Sequence, residues 1–305
     1  MPRVITIADA ACAELDEASG AILDFGFDPR DEESLTNAAL WLRRLGNNRT
    51  FLGDRIIEEL AGRHREEVLD NSYGPQVITL VPPNGNFFIR ANLWPALDDH
   101  MARASGSAPF VYGMPHDHNF DFLTIGYFGP GYWSDYYEAD YDQIVGWRGE
   151  PVPSLRFVER ARLEEGKIQL YRAHIDVHAQ RPAEALSVSL NVLHTTPAQG
   201  WFDQYRFDVE RREIGAIISP GPSEALLKVA IGLGSAEAID LGHRFARRHP
   251  SDRLRLAAWD ALASREIGPD AKDAVWREAE GSGSRLVEME SRARRTELAS
   301  LGGSQ

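Results

Sequence analysis

The sequence predicts an α+β protein in which a β-rich middle is flanked by two helical segments. Three observations carry that prediction. Apolar residues recur at helical spacing near the N-terminus, change to alternation and short β-branched or aromatic runs from about residue 74, and return to helical spacing in the last part. Gly, Pro and Asn punctuate the middle at close intervals, as a sandwich or small barrel requires. The last part is rich in Ala and Leu and is divided by Gly, Pro and capping Ser or Asp. The expected organisation is an N-terminal helical segment over 1–73, a β-barrel over 74–215 and a helical domain over 216–305.

In the first segment, DEESLTNAALWLRRLG places Leu35, Ala38, Leu42 and Leu45 on one helical face, with acidic residues at its start and a glycine at its end. FLGDRIIEELAGRHREEVL repeats the pattern with Ile56, Ile57, Leu60 and Val68–Leu69. In the middle, QVITLVP and FFIRANLWP read as strands joined by the turn PNGN. DFLTIGYF, YWSDYYE, SLRFVERARL, KIQLYRA and LSVSLNVLH continue the series, broken by Gly129-Pro130-Gly131 and Glu164-Glu165-Gly166. Leu186, Val188, Leu190 and Val192 alternate with Ser187, Ser189 and Asn191. Further on, PSEALLKVAIGLG, SAEAIDLGHRFARRHP, SDRLRLAAWDALASREIG and DAKDAVWREAE read as helical hairpins stacked in series, in the manner of short HEAT-type arrays.

Composition narrows the function classes. The 305 residues, 43% of them hydrophobic and 26% charged, suffice for a sizeable core. A net charge of −13 disfavours a nucleic-acid partner. No run approaches the roughly 18 apolar residues of a membrane helix, so no membrane partner is expected. MPRVITIADAACAELDEASG lacks the basic-then-apolar order of a signal peptide. Cys12, the one cysteine, leaves neither an internal disulfide nor a Cys-based zinc site, and the expected location is the cytoplasm. No nucleophile elbow, phosphate loop or dinucleotide fingerprint is present, so no nucleotide cofactor is expected.

The chemistry concentrates in PHDHNFDFLTIGYFGPGYW, residues 115–133. Residues i and i+2 of an extended chain point the same way, so His116 and His118 face one side and Asp117 the other. Imidazole binds borderline divalent metals well. Asp121 follows three positions after His118, and a later stretch, YRAHIDVHAQRP, supplies His174 and His178 between two strands. Ile175, Val177 and Pro182 favour extended chain there, which separates the two imidazoles by about 13 Å, too far to share one ion unless the chain turns sharply. The aromatic cluster of Tyr127, Tyr132, Trp133, Tyr136, Tyr137 and Tyr141 reads as packing, with one or two phenols, Tyr127 among them, as candidates for a pocket wall. Arg90 and Arg172 are candidates for a bidentate clamp on a substrate carboxylate, with surface salt bridges as the alternative. His64, His100, His194, His243 and His249 read as ordinary surface or core residues.

The order of these motifs resembles that of the cupin superfamily. The first cupin motif supplies two histidines and usually a glutamate, and the second supplies a third histidine. The resemblance covers residues 75–212 and implies a double-stranded β-helix barrel. His116 and His118 match the pair, His178 matches the third histidine, and Asp121 stands near the glutamate's place. Asp121 comes one or two positions early, and it could instead hold a ligand histidine in its tautomer. The first motif also lacks its usual glycine spacing, and the distance between motifs requires an inserted hairpin. The resemblance implies a mononuclear non-haem metal oxygenase similar to the thiol dioxygenases. Its expected cofactor is a divalent metal, Fe(II), and its partners are O2 and a small polar or peptide-borne substrate. His174, Tyr127 and Arg172 are the candidate substrate-contacting groups. A metal-dependent isomerase or lyase is an alternative, as is a metal- or ligand-sensing scaffold that contacts a protein partner through its C-terminal helices.

Overall fold

The computed structural model describes residues 2–62 and 76–302. The chain forms two compact units, Met1–Tyr141 with Ser154–Gln199, and Asp142–Pro153 with Gly200–Gln305.

The first unit begins with β1 (Arg3–Ile5), α1 (Leu15–Phe25), α2 (Glu32–Asn47) and α3 (Phe51–Gly62). α2 starts where the Asp31 side chain accepts the Ser34 N–H, satisfying one of the open donors of the first turn. It buries Leu35, Ala38, Ala39, Leu42 and Leu45 on one face. α3 departs from its expected pattern: Phe51 and Leu52 are buried, whereas Ile57 and Leu60 are 65% and 62% exposed. Val68–Leu69 and His64 lie outside the described residues. β1 was not expected in a helical segment. It pairs antiparallel with a later strand, setting Val4 opposite Gln169, and at three residues it is too short to show a period.

The strands that follow are β2 (Val77–Asn84), β3 (Phe87–Trp94), β4 (Phe122–Phe128), β5 (Tyr132–Glu138), β6 (Arg156–Leu163), β7 (Ile168–Tyr171), β8 (Asp176–Gln180) and β9 (Ser187–His194), with a short helix α4 (His100–Ser105) after β3. β8 is a paired strand where the sequence indicates extended chain between two strands. The larger sheet has the order β1-β7-β4-β9-β3-β2, and the smaller β6-β5-β8. An antiparallel bridge between His116 and His178 extends the smaller sheet past β8. From β3 onward the chain passes back and forth between the sheets, with β5 and β6 added to the small one as a hairpin. The first strand pairs with the last in the large sheet, and the segment around His116 pairs with β8 in the small one. That is the double-sheet jelly roll of cupins, so the fold is a cupin-like double-stranded β-helix with helical segments before and after it.

Strand alternation gives the large sheet two distinct faces. Phe87, Ile89, Leu123, Ile125, Ile168, Leu170, Leu190 and Val192 form one buried cluster with Ala38, Leu42 and Leu45 of α2. Each Leu, Ile, Val or Phe among them contributes about 1.5–3 kcal/mol by leaving water. Gly46 allows the close approach of α2, because a Cβ there would lie 2.7 Å from Ile125 Cδ1. On the opposite face, Phe88, Phe122, Tyr171 and Leu193 pack against Tyr136 of β5 and Ala161 of β6. This second face is the barrel interior.

The second unit holds a hairpin, β10 (Tyr205–Asp208) and β11 (Glu213–Ile217), and the helices α5 (Pro222–Leu233), α6 (Ala236–Arg248), α7 (Asp252–Arg265), α8 (Pro269–Glu280) and α9 (Arg285–Gly302). Ser235 and Ser251 cap α6 and α7 by accepting the N–H of Ala238 and Leu254. Leu227, Ile231, Trp259, Leu262, Trp276 and Val287 form its core. Among the described residues no helix is long and apolar enough to cross a membrane.

Candidate metal centre

The His116–His178 bridge is a pair of backbone hydrogen bonds. His116 N–H donates to the His178 carbonyl at 3.0 Å, and His178 N–H donates back at 2.9 Å. The pair sits one strand from Tyr136, which β5 sets opposite His178. His118 is fixed by its carbonyl, which accepts the His174 N–H at 2.8 Å. His174 adopts a left-handed φ of 63° to make that contact.

Backbone pairing thus brings three imidazoles together. The ring centroids lie 4.9 Å (His116–His118), 4.6 Å (His116–His178) and 5.1 Å (His118–His178) apart. All three side chains are buried, and one ligand nitrogen from each lies within 4.8 Å of the others. The Nε2 atoms of His118 and His178 are 3.0 Å apart. That spacing suits a shared ion at the roughly 2.1 Å of imidazole–metal bonds. His116 Nδ1 lies 2.8 Å from the Met114 carbonyl, which can only accept, so Nδ1 carries the proton and Nε2 keeps its lone pair.

Electrostatics keep the cluster neutral. Burial pushes the His118 pKa well below its ordinary value, and the charges of His116, His178 and Arg90 push it further. Burial, with His116, does the same for His178. For His116 burial lowers the pKa and the Met114 carbonyl partly offsets it. Neutral imidazole is the form that ligates. The chemistry of the donor set therefore fits a divalent ion, and three buried histidines can hold one.

Aromatic rings surround the cluster. Phe120 and Phe122 lie 5.0 Å from the His118 ring, and Tyr171 lies 4.8 Å from His178 while stacking on Phe122. The Tyr136 and Tyr171 hydroxyls are 3.0 Å apart, and Tyr136 also reaches Gln169 Oε1 at 3.3 Å. Burial raises the pKa of both phenols, so both stay protonated. Gln180 Nε2 lies 3.3 Å from His178 Nε2.

The structure places the remaining sequence candidates elsewhere. Asp121 does not join the ligand group among the described residues; its Oδ1 accepts the Ala173 N–H at 2.9 Å. The His174 ring packs on Tyr141 at 4.1 Å, and its contribution at the histidines is its backbone N–H. Tyr127 lies on the outer face with Leu123 and Ile125, where its hydroxyl donates to the Asn48 carbonyl at 2.9 Å and its ring meets Phe51. It therefore faces the helices, because odd positions of β4 point away from the interior. Arg172 does clamp carboxylates, but they are the protein's own: Nη2 reaches Asp176 at 2.7 Å and Glu138 at 3.1 Å. Tyr136, Tyr171 and Gln180 were not singled out individually. Gln180 was legible as the position two beyond His178 on an extended chain; the other two needed the sheet pairing.

No protein-family model matches the chain, and no curated protein matches it in sequence. Several solved structures are similar to part of it. A hydroquinone 1,2-dioxygenase bound to Cd2+ and 4-hydroxybenzonitrile is 13% identical, covering 42% of this chain and 68% of its own, with a TM-score of 0.26. A DMSP lyase from Ruegeria pomeroyi is 11% identical over 65% of this chain and 78% of its own, with a TM-score of 0.25. A cupin-like protein from Thermotoga maritima is 13% identical over 44% of this chain and 84% of its own, with a TM-score of 0.23.

Proposed function

From a cupin-type barrel that gathers three histidine nitrogens inside it, we propose that this protein is a mononuclear non-haem metal oxygenase, with Fe(II) as its metal and a small polar or peptide-borne molecule as its substrate. One observation supports the reading most directly: the ligand group consists of three buried, neutral imidazoles with no carboxylate among the described residues. A divalent ion bound there supplies Lewis acidity, redox capacity and positions left open for substrate and O2. The chain's own part is orientation and exclusion. Met114 fixes the tautomer of His116, and the paired backbones of His116 and His178 fix where two of the rings point. Phe120, Phe122 and Tyr171 exclude water around His118. The neutral phenols of Tyr136 and Tyr171 provide hydrogen-bonding groups beside His178.

The test is anaerobic loading with Fe(II), metal analysis, and oxygen uptake with candidate substrates. About one iron per chain and substrate-dependent oxygen consumption are expected. Turnover without oxygen consumption would place the protein among metal-dependent isomerases or lyases instead. A folded protein that takes up no divalent metal would overturn both.

A further inference from the structure

The second histidine stretch repeats the spacing of the first. His116 and His118 lie at i and i+2, and so do His178 and Gln180 on β8, which puts the Gln180 side chain on the face that carries the His178 ring. The backbone of Gln180 is held from both sides. β5 sets it opposite Ser134, and its carbonyl accepts the Gly113 N–H at 2.8 Å. The residue is more than nine-tenths buried.

Two groups close on the nitrogen that His178 offers to the cluster. His118 Nε2 lies 3.0 Å from His178 Nε2, and the Gln180 amide nitrogen lies 3.3 Å from the same atom. The other atom of that amide, Oε1, is buried with no hydrogen-bond partner among the described residues. Proteins leave few buried polar atoms unpaired, because the unmade bond is costly. Nε2 and Oε1 exchange places by a half turn of the terminal torsion, which has a broad, roughly two-fold profile, so either atom can face His178. Charge decides between them. A cation on the His178 lone pair repels the amide N–H and attracts the carbonyl oxygen. The turn gives a partner to the atom that the described residues leave without one. No carboxylate competes for the place from Asp121, whose Oδ1 accepts the Ala173 N–H.

We infer that Gln180 supplies a fourth donor to the ion through Oε1, so that the centre consists of three imidazole nitrogens and one amide oxygen. Side-chain amide oxygens are established ligands of divalent ions, and imidazole suits iron and zinc. All four donors are neutral, and on a six-coordinate ion they leave two positions for other ligands. The inference rests on the reading of the three histidines as a metal centre, and it completes the ligand set of that centre.

The experiment has two arms, both on the full chain and neither dependent on turnover. In the first, crystals of the wild type loaded with Zn(II) are solved and the ion is located by its anomalous signal. Gln180 Oε1 is expected about 2.0–2.2 Å from the ion. An ion held by the histidines with the Gln180 amide more than about 3 Å away overturns the inference. In the second, competition with a chromophoric chelator measures Zn(II) affinity. Gln180→Leu fills a similar volume without a donor and should weaken binding about tenfold or more. Gln180→Glu keeps an oxygen at the same reach, loses the N–H, and should bind at least as tightly as the wild type. Wild-type affinity in Gln180→Leu overturns the inference. So does a Gln180→Glu variant as weak as Gln180→Leu, because the N–H would then be the group that matters. The diffraction arm uses the wild type and stands even if a variant fails to fold. A wild-type chain that takes up neither Zn(II) nor Fe(II) sinks the metal centre and this inference with it. An ion bound by the histidines without Gln180 sinks this inference alone.

Discussion

Replacing Asp121 by alanine removes one charge-assisted hydrogen bond and, on this geometry, no metal ligand. Asp121 Oδ1 accepts the Ala173 N–H at 2.9 Å. Ala173 precedes His174, whose N–H holds the His118 carbonyl, and the chain then enters β8 with His178. The carboxylate thus anchors the turn that leads into the strand carrying a ligand. Hydrogen bonds to charged groups contribute about 1.5–3 kcal/mol, and the partly buried, still solvent-reached setting of Asp121 puts this one near the lower end, at about 1–2 kcal/mol. A unit of this size loses about 2–4 °C of Tm per kcal/mol, so the expected drop is about 2–8 °C. Thermal unfolding by circular dichroism measures the drop, and elemental analysis of the same sample measures the metal. Asp121→Ala should unfold cooperatively and keep wild-type metal content. Asp121→Asn, which retains an acceptor oxygen, should lose less stability. A well-folded Asp121→Ala protein that has lost its metal would show the carboxylate to be a ligand and refute the reasoning.

Four further outcomes are expected. Tyr127→Phe should cost about 0.5–1.5 kcal/mol through the lost bond to the Asn48 carbonyl and leave metal content and turnover unchanged; a selective loss of turnover would return Tyr127 to the active site. His178→Ala should lose the metal while His174→Ala keeps it, because His174 acts at the cluster through its backbone N–H; elemental analysis of both variants decides. Stripping the metal with a chelator should lower Tm, by about 5–10 °C relative to protein held at a hundredfold excess over Kd, since such an excess stabilises by about 2.7 kcal/mol; an unchanged Tm contradicts a metal linked to folding. Burial would raise the Asp135 pKa, but hydrogen bonds from Arg160 and Arg181 outweigh it and hold the carboxyl below its ordinary value. A depressed folded pKa gives stability that is present above about pH 4 and lost as pH falls through the folded value. Asp135→Asn should therefore be less stable at neutral pH and show a shallower loss in acid by urea titration, and parallel acid profiles would argue against the pairing.

The larger strands were legible because each alternates over enough residues to show a period. β8 was legible as extended chain through Ile175 and Val177 but not as a paired strand, because Asp176, His178 and Gln180 have poor strand propensity, and tertiary partners override it. Its register with β5 and the clamp of Arg172 on the fully buried Asp176 hold it extended. The exposed Ile57 and Leu60 are the opposite failure: a helical period marks a face without stating what covers it. The pairing of His116 with His118 follows from i, i+2 spacing, whereas the approach of His178 depends on a bridge across 62 residues, which no local pattern encodes. Asp121 and Arg172 were recognised as groups that bind charge or hydrogen bonds, but residue type could not say that their partners are Ala173, Asp176 and Glu138.

β9 carries the deeper lesson for reading function from a pattern. Val188, Leu190 and Val192 alternate with Ser187, Ser189 and Asn191, and the usual expectation sends the apolar set inward and the polar set to water. Here both sets are largely buried. The apolar set packs on the helical layer outside the barrel, and the polar set lines the inside, where Ser189 Oγ accepts the Trp94 indole N–H and Asn191 stands between Thr124 and Arg90. A strand covered on both sides can place its polar residues in the interior only if something there satisfies them, because an unmade buried hydrogen bond costs about 1–3 kcal/mol. The N-terminal helices are what make this arrangement possible. By covering the apolar face, they free the inner face of the sheet from serving as the hydrophobic core.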